Sequence, residues 1–302
     1  MDVYAISQRR FSLFQSTMFS WLKNQFSTPQ KTTDPVVIYH HIAKTGGTSL
    51  RKVVQANYRG KALLELYGPN RGSVAWYEQY YSSLSPKRKA SIRCIAAHSA
   101  HYIIPIIDRP FRVFTLLRNP VDRVISLYYF TRILAKQGAG KGAEMGLMLD
   151  SLGWDLADIY INAGLKDKIT PEQRPLLAPF FNGQSRAILG PHLDAMAMPF
   201  EQGEPAVMGG FQTRLNDVID RHYELGVTEL YEASVRYFAR IFRWRRFFFQ
   251  HKNQTKNRPL IEDIPTEVRE MILSFNQMDA ALHQKAKRTL RLRSEEEPRM
   301  ED

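Results

Sequence analysis

The stretch Val36-Val37-Ile38-Tyr39-His40-His41-Ile42, followed at once by Ala43-Lys44-Thr45-Gly46-Gly47-Thr48-Ser49, decides how the chain is read. A short β-rich run without apolar–polar alternation fits a strand covered on both faces, as in a parallel sheet. The glycine-containing turn then opens a helix, read as Ser49 to Tyr58. Backbone N–H groups at such a helix start form an anion pocket, because glycines let a ligand approach closely. Lys44 adds a positive charge, and Thr48 and Ser49 add hydroxyl donors. The plainer alternative is a tight strand–helix turn capped by Thr45 or Thr48. The stretch is not a Walker A loop, in which the lysine directly precedes the hydroxyl residue, because Lys44 stands before the glycine pair.

Working outward, two more short runs repeat the pattern. Ile92-Arg93-Cys94-Ile95-Ala96-Ala97 ends at His98, and Phe111-Arg112-Val113-Phe114-Thr115-Leu116-Leu117 ends at Arg118. Pro120 suits the first turn of a helix through Val121 to Leu134. Strands alternating with helices predict an α/β fold with a central, mainly parallel sheet. Ligands in such folds bind at the carboxyl ends of the strands, where the first turn, His98 and Arg118 all fall. Arg118 is a candidate phosphate ligand, joined by Ser126 two turns into the following helix. Arg123 reads as a brace of this corner, through an ion pair. His98 is the candidate general base and His101, three residues on, its competitor. Structural roles for both histidines stay open, and no third ligand is evident for a metal pair.

The remaining chain is less patterned. Residues 136–205 are irregular, and Gly138-Ala139-Gly140-Lys141-Gly142 reads as a mobile loop. Helices are expected over 214–224, 229–243 and 266–292, with a late strand from Trp244 to Phe249. Residues 1–34 form an appendage in which Phe11, Phe14, Met18, Trp21, Leu22 and Phe26 recur at helical spacing beside Arg9, Arg10 and Lys23. Such a stripe either packs on its own domain or a partner subunit, or makes peripheral membrane contact through residues 1–27. One domain over 35–293 and a charged tail over 294–302 complete the expected organisation.

The 302 residues are 44% hydrophobic and 24% charged, a globular composition. Forty-two Lys and Arg against 30 Asp and Glu leave a formal charge of +12, which calls for an anionic partner. Residues 236–258 hold eight of the basic residues and no acid. The arginines from 240 to 246 face either an anionic acceptor or plain solvent. Cys94 is the only cysteine, excluding an internal disulfide and a cysteine-built zinc site. With no secretory signal pattern and no apolar run of the roughly 20 residues a spanning helix needs, a cytoplasmic, reducing location is expected.

The motif Lys44-Thr45-Gly46-Gly47-Thr48-Ser49 together with Leu117-Arg118-Asn119-Pro120-Val121-Asp122-Arg123-Val124-Ile125-Ser126 resembles the sulfotransferases that use 3′-phosphoadenosine 5′-phosphosulfate (PAPS). The nearest branch is the carbohydrate O-sulfotransferases of the heparan sulfate 2-O type. Phe181-Asn182-Gly183-Gln184-Ser185-Arg186, Gly226-Val227-Thr228-Glu229 with Ser234, and Asn276 with Asp279 and Leu282 are similar as well, so the likeness covers about 36–290. Ala43 stands where the family has proline, Asn119 where it has aspartate, and Ala97 where a glycine precedes the catalytic histidine.

The resemblance implies a P-loop-like, three-layer α/β domain and a PAPS-dependent O-sulfotransferase. It implies that Lys44, Thr45, Gly46, Gly47, Thr48 and Ser49 hold the phosphosulfate, and that Arg118 and Ser126 hold the 3′-phosphate. Lys256 and Arg258 belong to a loop like the one that closes over that phosphate. It further implies that His98 deprotonates the acceptor, that Lys44 stabilises the leaving phosphate, and that no metal is required. The expected partners are PAPS and a carbohydrate or glycoconjugate hydroxyl, acidic where the arginines face it, with no nucleic acid. Two rivals remain. An ATP-dependent nucleoside or sugar kinase requires a magnesium-binding carboxylate and Walker spacing, and neither is found. A non-enzymatic binder of an anionic polymer or membrane surface predicts salt-dependent binding that is indifferent to Lys44 and Arg118.

Overall fold

Val36–His40 (β1) is buried at every position, which explains the missing alternation. It is the middle strand of a five-stranded, all-parallel sheet. The others are Leu63–Leu66 (β2), Cys94–Ala97 (β3), Phe111–Leu117 (β4) and Tyr223–Val227 (β5), in the order β2-β3-β1-β4-β5. The computed structural model describes residues 35–68, 73–138, 141–162, 168–190, 205–249 and 258–295. The appendage 1–34, its proposed membrane contact, Lys256 and residues 296–302 of the tail lie outside them.

Helices Gly47–Asn57 (α1), Val74–Ser83 (α2), Pro86–Ser91 (α3) and Ala100–Ile103 (α4) belong to the first half. Pro120–Gln137 (α5), Lys141–Leu152 (α6), Leu156–Asn162 (α7), Arg174–Leu177 (α8) and Gly183–Leu189 (α9) follow β4. Pro205–His222 (α10) leads into β5, and Tyr231–Phe242 (α11), Thr266–Phe275 (α12) and Gln277–Glu295 (α13) end the described chain. One hydrophobic core joins the sheet to α1, α10, α11 and α13. A second core contains no strand residue: it is built from α5 to α8 and α12, and it supports the helix that follows Arg118.

Register places the strand ends side by side. His40 pairs with Ala97 and Leu117 with Val227, so the loop after β1 lies between His98 and Arg118. The chain leaves β1 towards β2 and β3 but puts β4 on the other side, a topological switch point at which α/β sheets bind ligands.

Several expectations are corrected. β2 was not foreseen, because Leu-Leu-Glu-Leu at a sheet edge has no strand-specific pattern. The helix read over 214–224 stops at His222, and Tyr223 begins β5, a switch that no Gly or Pro announces. Trp244 to Phe249 is not a strand. Trp244 is instead buried against Tyr58, Phe114 and Phe238, with its indole N–H donating to the Tyr58 hydroxyl at 3.1 Å. The helix over 266–292 is two helices broken at Asn276, whose side chain is fully buried.

Of the glycine-rich segment expected to be a mobile loop, residues 139 and 140 lie outside the described residues, and Lys141 and Gly142 are already helical. Gly138 caps α5 in the left-handed region (φ 64°), and α6 starts at Lys141. A Cβ on Gly146 would lie 2.3 Å from the Thr131 carbonyl, so the bare glycine face lets α6 lie directly against α5.

Candidate active site

The loop from His41 to Thr45 is fixed through its carbonyls. His98 Nδ1 donates to the His41 carbonyl (2.7 Å) and Thr45 Oγ1 to that of Ile42 (2.9 Å). Arg123 Nε donates to Ala43 and Arg118 Nη1 to Lys44, both at 3.2 Å, and Thr228 Oγ1 to Thr45 at 2.6 Å. All five carbonyl oxygens of the loop thus accept from donors of the domain itself. The Ile42 amide is returned to the His40 carbonyl at 3.1 Å, so the amides that follow it are the candidates for holding an anion. Lys44 (φ 69°) and Gly46 (φ 77°) both take the left-handed conformation that closes such a nest. For Lys44 this conformation is strained, and the Arg118 bond to its carbonyl helps hold it.

α1 begins directly after the loop. Its N-cap is Gly46, with no side-chain cap and no acid in the first turn, so the capping alternative for Thr45 and Thr48 does not apply. Gly47 is required by packing: a Cβ there would lie 2.0 Å from His41 Cδ2 and 2.6 Å from the Tyr39 hydroxyl. Thr48 is exposed, whereas Ser49 and Thr45 are buried. The Lys44 ammonium sits 3.8 Å above the Phe130 ring. Burial, then the nearby charges of Arg118, Arg258 and Arg123, push its pKa down to about 8. Four cations gathered around one carboxylate, Asp122, leave a net positive corner suited to negative charge.

Arg118 continues from β4 and is held at both ends. Its backbone N–H donates to Gln184 Oε1 (2.8 Å), and its carbonyl accepts from Gln184 Nε2 (3.0 Å). Its guanidinium pairs with Asp122, whose second oxygen accepts from Arg258 Nη1 at 2.6 Å. One carboxylate therefore gathers the two arginines assigned to the 3′-phosphate. Ser126 lies one turn beyond Asp122 on the same face of α5 and is 2% exposed. Among the described residues, Arg123 braces the corner through carbonyls and not through an ion pair. Its guanidinium is buried and donates to the Ala43 and Pro179 carbonyls, tying the loop to the second core.

Behind Arg118 the three later segments close into one frame. Asn182 (φ 48°) donates its N–H to Asn276 Oδ1 at 2.7 Å, while its own Oδ1 accepts the Met278 and Asp279 amides. Asp279, fully buried, accepts the amides of Gln184 (2.9 Å) and Ser185 (2.7 Å) and the Ser185 hydroxyl (2.7 Å). Glu229 accepts from the Asn119 amide (2.7 Å) and pairs with His283 (2.9 Å). Burial alone would raise its pKa, but those two partners outweigh burial and hold it below the usual range. Asp279→Ala leaves several buried donors unanswered and is expected to cost about 3–5 kcal/mol in urea unfolding. A loss under about 1 kcal/mol would show that the frame is not structural.

His98 ends β3 and is exposed, yet it packs on His41 (4.3 Å between ring centroids) and meets Tyr67 edge-on at 5.1 Å. A carbonyl can only accept, so the 2.7 Å contact to His41 puts the proton on Nδ1 and leaves the Nε2 lone pair as the basic atom. Crowding of the ring, more than the nearby Arg51 charge, holds His98 below the ordinary imidazole range against its carbonyl bond. Tyr67 also contacts His41 Nδ1 through its hydroxyl (3.3 Å) and carries Arg51 over its ring at 4.1 Å. His101 lies elsewhere: its ring packs beside His40 and Tyr102, where a Cβ on Gly190 would come within 2.8 Å of it.

The structure thus brings together Lys44, the 45–49 turn, His98, Arg118, Ser126 and Arg258. Sequence reading missed Asp122, Phe130, Thr228 and Tyr67. The four-residue spacing of Arg118, Asp122, Ser126 and Phe130 was the available signal for two of them. The basic run is only partly in the site. α11 carries the chain away from the carboxyl edge, and the arginines from 243 to 246 reach the opposite edge, where Asn57 holds the Arg245 and Arg246 amides at 3.1 Å. Among the described residues, no group of three or more His, Cys, Asp or Glu is placed to hold a metal ion, and no helix is long and apolar enough to cross a membrane.

Residues 20–157 match the family model described as the sulfotransferase domain. The match spans less than half of the 302-residue chain and takes in β1 to β4 with the loop, His98, Arg118 and Ser126. It supports a sulfotransferase family and, in general terms, an enzyme of sulfuryl transfer. Comparison with curated proteins gives no match.

Proposed function

We propose that this sulfotransferase-type domain takes the sulfuryl group of PAPS and passes it to a hydroxyl of a carbohydrate or glycoconjugate. The observation that carries the reading is the loop whose five carbonyls are all taken up by donors of the domain, between His98 on one side and Arg118 on the other. The donor set fits the group: the amides at the start of α1 and Lys44 suit the phosphosulfate, and Arg118, Arg258 and Ser126 suit the 3′-phosphate, with Asp122 keeping the arginines together until an anion arrives. Lys256 is assigned with Arg258 on the strength of the resemblance.

When bound, PAPS supplies a sulfuryl group on a phosphate leaving group. His98 Nε2 takes the acceptor hydroxyl's proton as that oxygen bonds to sulfur. As the sulfuryl group passes to the acceptor oxygen, the Lys44 ammonium with the loop amides would meet the negative charge left on the departing phosphate. The stack of His41, Tyr67 and Arg51 orients His98, and the bond to the His41 carbonyl keeps the correct nitrogen free. The carbohydrate acceptor rests on the resemblance in the histidine and frame segments. Buried Cys94 fits a reducing, cytoplasmic compartment, with residues 1–27 supplying peripheral membrane contact.

Calorimetry with 3′-phosphoadenosine 5′-phosphate tests the donor assignment. One-to-one binding unaffected by magnesium or chelator is expected, with ATP much weaker. A folded protein that ignores the 3′-phosphorylated nucleotide, or prefers ATP with magnesium, sinks the reading.

A further inference from the structure

The site uses only a few of the basic residues. A larger group lies at the other end of the sheet, where the strands begin. Residues 57–62, 84–93, 107–112 and 242–249 lie at the starts of β2, β3 and β4 and at the end of α11, and together carry eleven Lys and Arg against one acid, Asp108.

Backbone and side-chain contacts make these segments one continuous edge. Asn57 joins residues 245 and 246, Arg88 donates to the Lys61 carbonyl, and the Arg93 amide donates to Ala62 at 2.9 Å. Arg109 donates to the Ile92 carbonyl, and the first residue of β1, Val36, donates to Pro110 at 2.8 Å. Five parallel strands at about 4.8 Å spacing give this edge a width of roughly 20 Å. It stands about 17 Å, the length of β1, from the catalytic loop. Arg59, Lys61, Arg243, Arg245 and Arg246 are exposed on it. The start of β5 is less one-sided, with Arg221 beside Asp220 and Glu224, and Glu224 pairs with Arg112.

We propose that this amino edge docks the folded domain on an anionic lipid bilayer, holding the active site on the far side, open to solvent. Charge complementarity alone would suit any polyanion. Two observations favour lipid. Buried Trp244 pins the segment Arg243 to Phe249, so that Phe247, 40% exposed, stands among the arginines as an apolar group that can enter the headgroup layer. The segment before β1 also joins the domain at this same edge, and its sequence pairs Phe11, Phe14, Trp21 and Phe26 with Arg9, Arg10 and Lys23. An apolar stripe and a basic face leaving one edge together give the two signals that stable peripheral attachment needs.

The test is sedimentation of the full chain with vesicles of phosphatidylcholine alone or with about 30 mol% phosphatidylserine. Binding is expected only to the anionic vesicles and should disappear by about 0.5 M salt. Arg59→Glu, Lys61→Glu, Arg245→Glu and Arg246→Glu together should weaken binding at least about tenfold without changing thermal melting. Phe247→Ser should weaken vesicle binding while leaving heparin binding unchanged.

Four results would overturn the proposal. The wild type could ignore anionic vesicles, or the folded four-charge variant could bind as tightly as wild type. Heparin or DNA could be bound without vesicles, which assigns the edge to a polyanion. Trp21→Ser could abolish vesicle binding that the four-charge variant retains, which assigns attachment to the appendage alone.

Discussion

His98→Ala is expected to lower kcat by about 10²–10⁴-fold, the range for loss of a positioned base. The affinity for 3′-phosphoadenosine 5′-phosphate should stay within about twofold of wild type, since His98 meets the loop at His41, through its carbonyl and ring, and not at Lys44 or the turn. His98→Gln discriminates between orientation and chemistry: its amide can still donate to His41 but has no basic nitrogen, so it should restore loop order without restoring turnover. His101→Ala should retain most activity, because that ring packs beside His40 and Gly190 rather than on the loop. Steady-state sulfuryl transfer measured beside calorimetry of the product nucleotide checks all three variants. An inactive His101→Ala with an active His98→Ala would move the base three residues along the chain.

Lys44→Ala carries the other large effect, a kcat loss of about 10²–10³-fold, typical of removing one group that stabilises a leaving oxygen. Nucleotide binding should weaken less, because Arg118, Arg258 and the loop amides remain. The pH profile separates the two residues. His98, held below the ordinary imidazole range chiefly by desolvation of its ring against His41 and Tyr67, is neutral at pH 7, and activity falls only as acid protonates Nε2. Lys44 in the free protein titrates near 8, pushed down by burial first and then by the surrounding arginines. The profile of kcat/KM should therefore decline above about pH 8 as the ammonium is lost. The same decline in kcat should sit higher, because a bound anion favours the charged lysine. If Lys44→Ala keeps the alkaline limb where the wild type has it, another group produces that limb.

The parts of this site legible in the sequence are those written in local pattern. An unbroken apolar run announced β1, the proline after Arg118 announced α5, and the glycine pair announced the loop. β2 and β5 escaped because four or five residues beside a helix show no period of their own. Gly142 misled for a related reason. Glycine marks loops in sequence, but here it clears a helix face for a close neighbour, and only the neighbour distinguishes the two uses.

By itself, the sequence determined an α/β domain with a glycine turn, a histidine and an arginine at successive strand ends, because period, turn residues and strand termini are short-range properties. Tertiary structure alone decided which atoms of those residues meet. The proton on His98 Nδ1, the bonded loop carbonyls, the Asp122 bridge and the Asn182–Asn276–Asp279 frame join residues 4 to 183 positions apart. It also decided where the excess charge goes. Sequence placed eight cations in one run, and the fold sets Arg243, Arg245 and Arg246 at the amino edge, where α11 delivers the chain, but Arg258 beside Asp122 at the carboxyl edge.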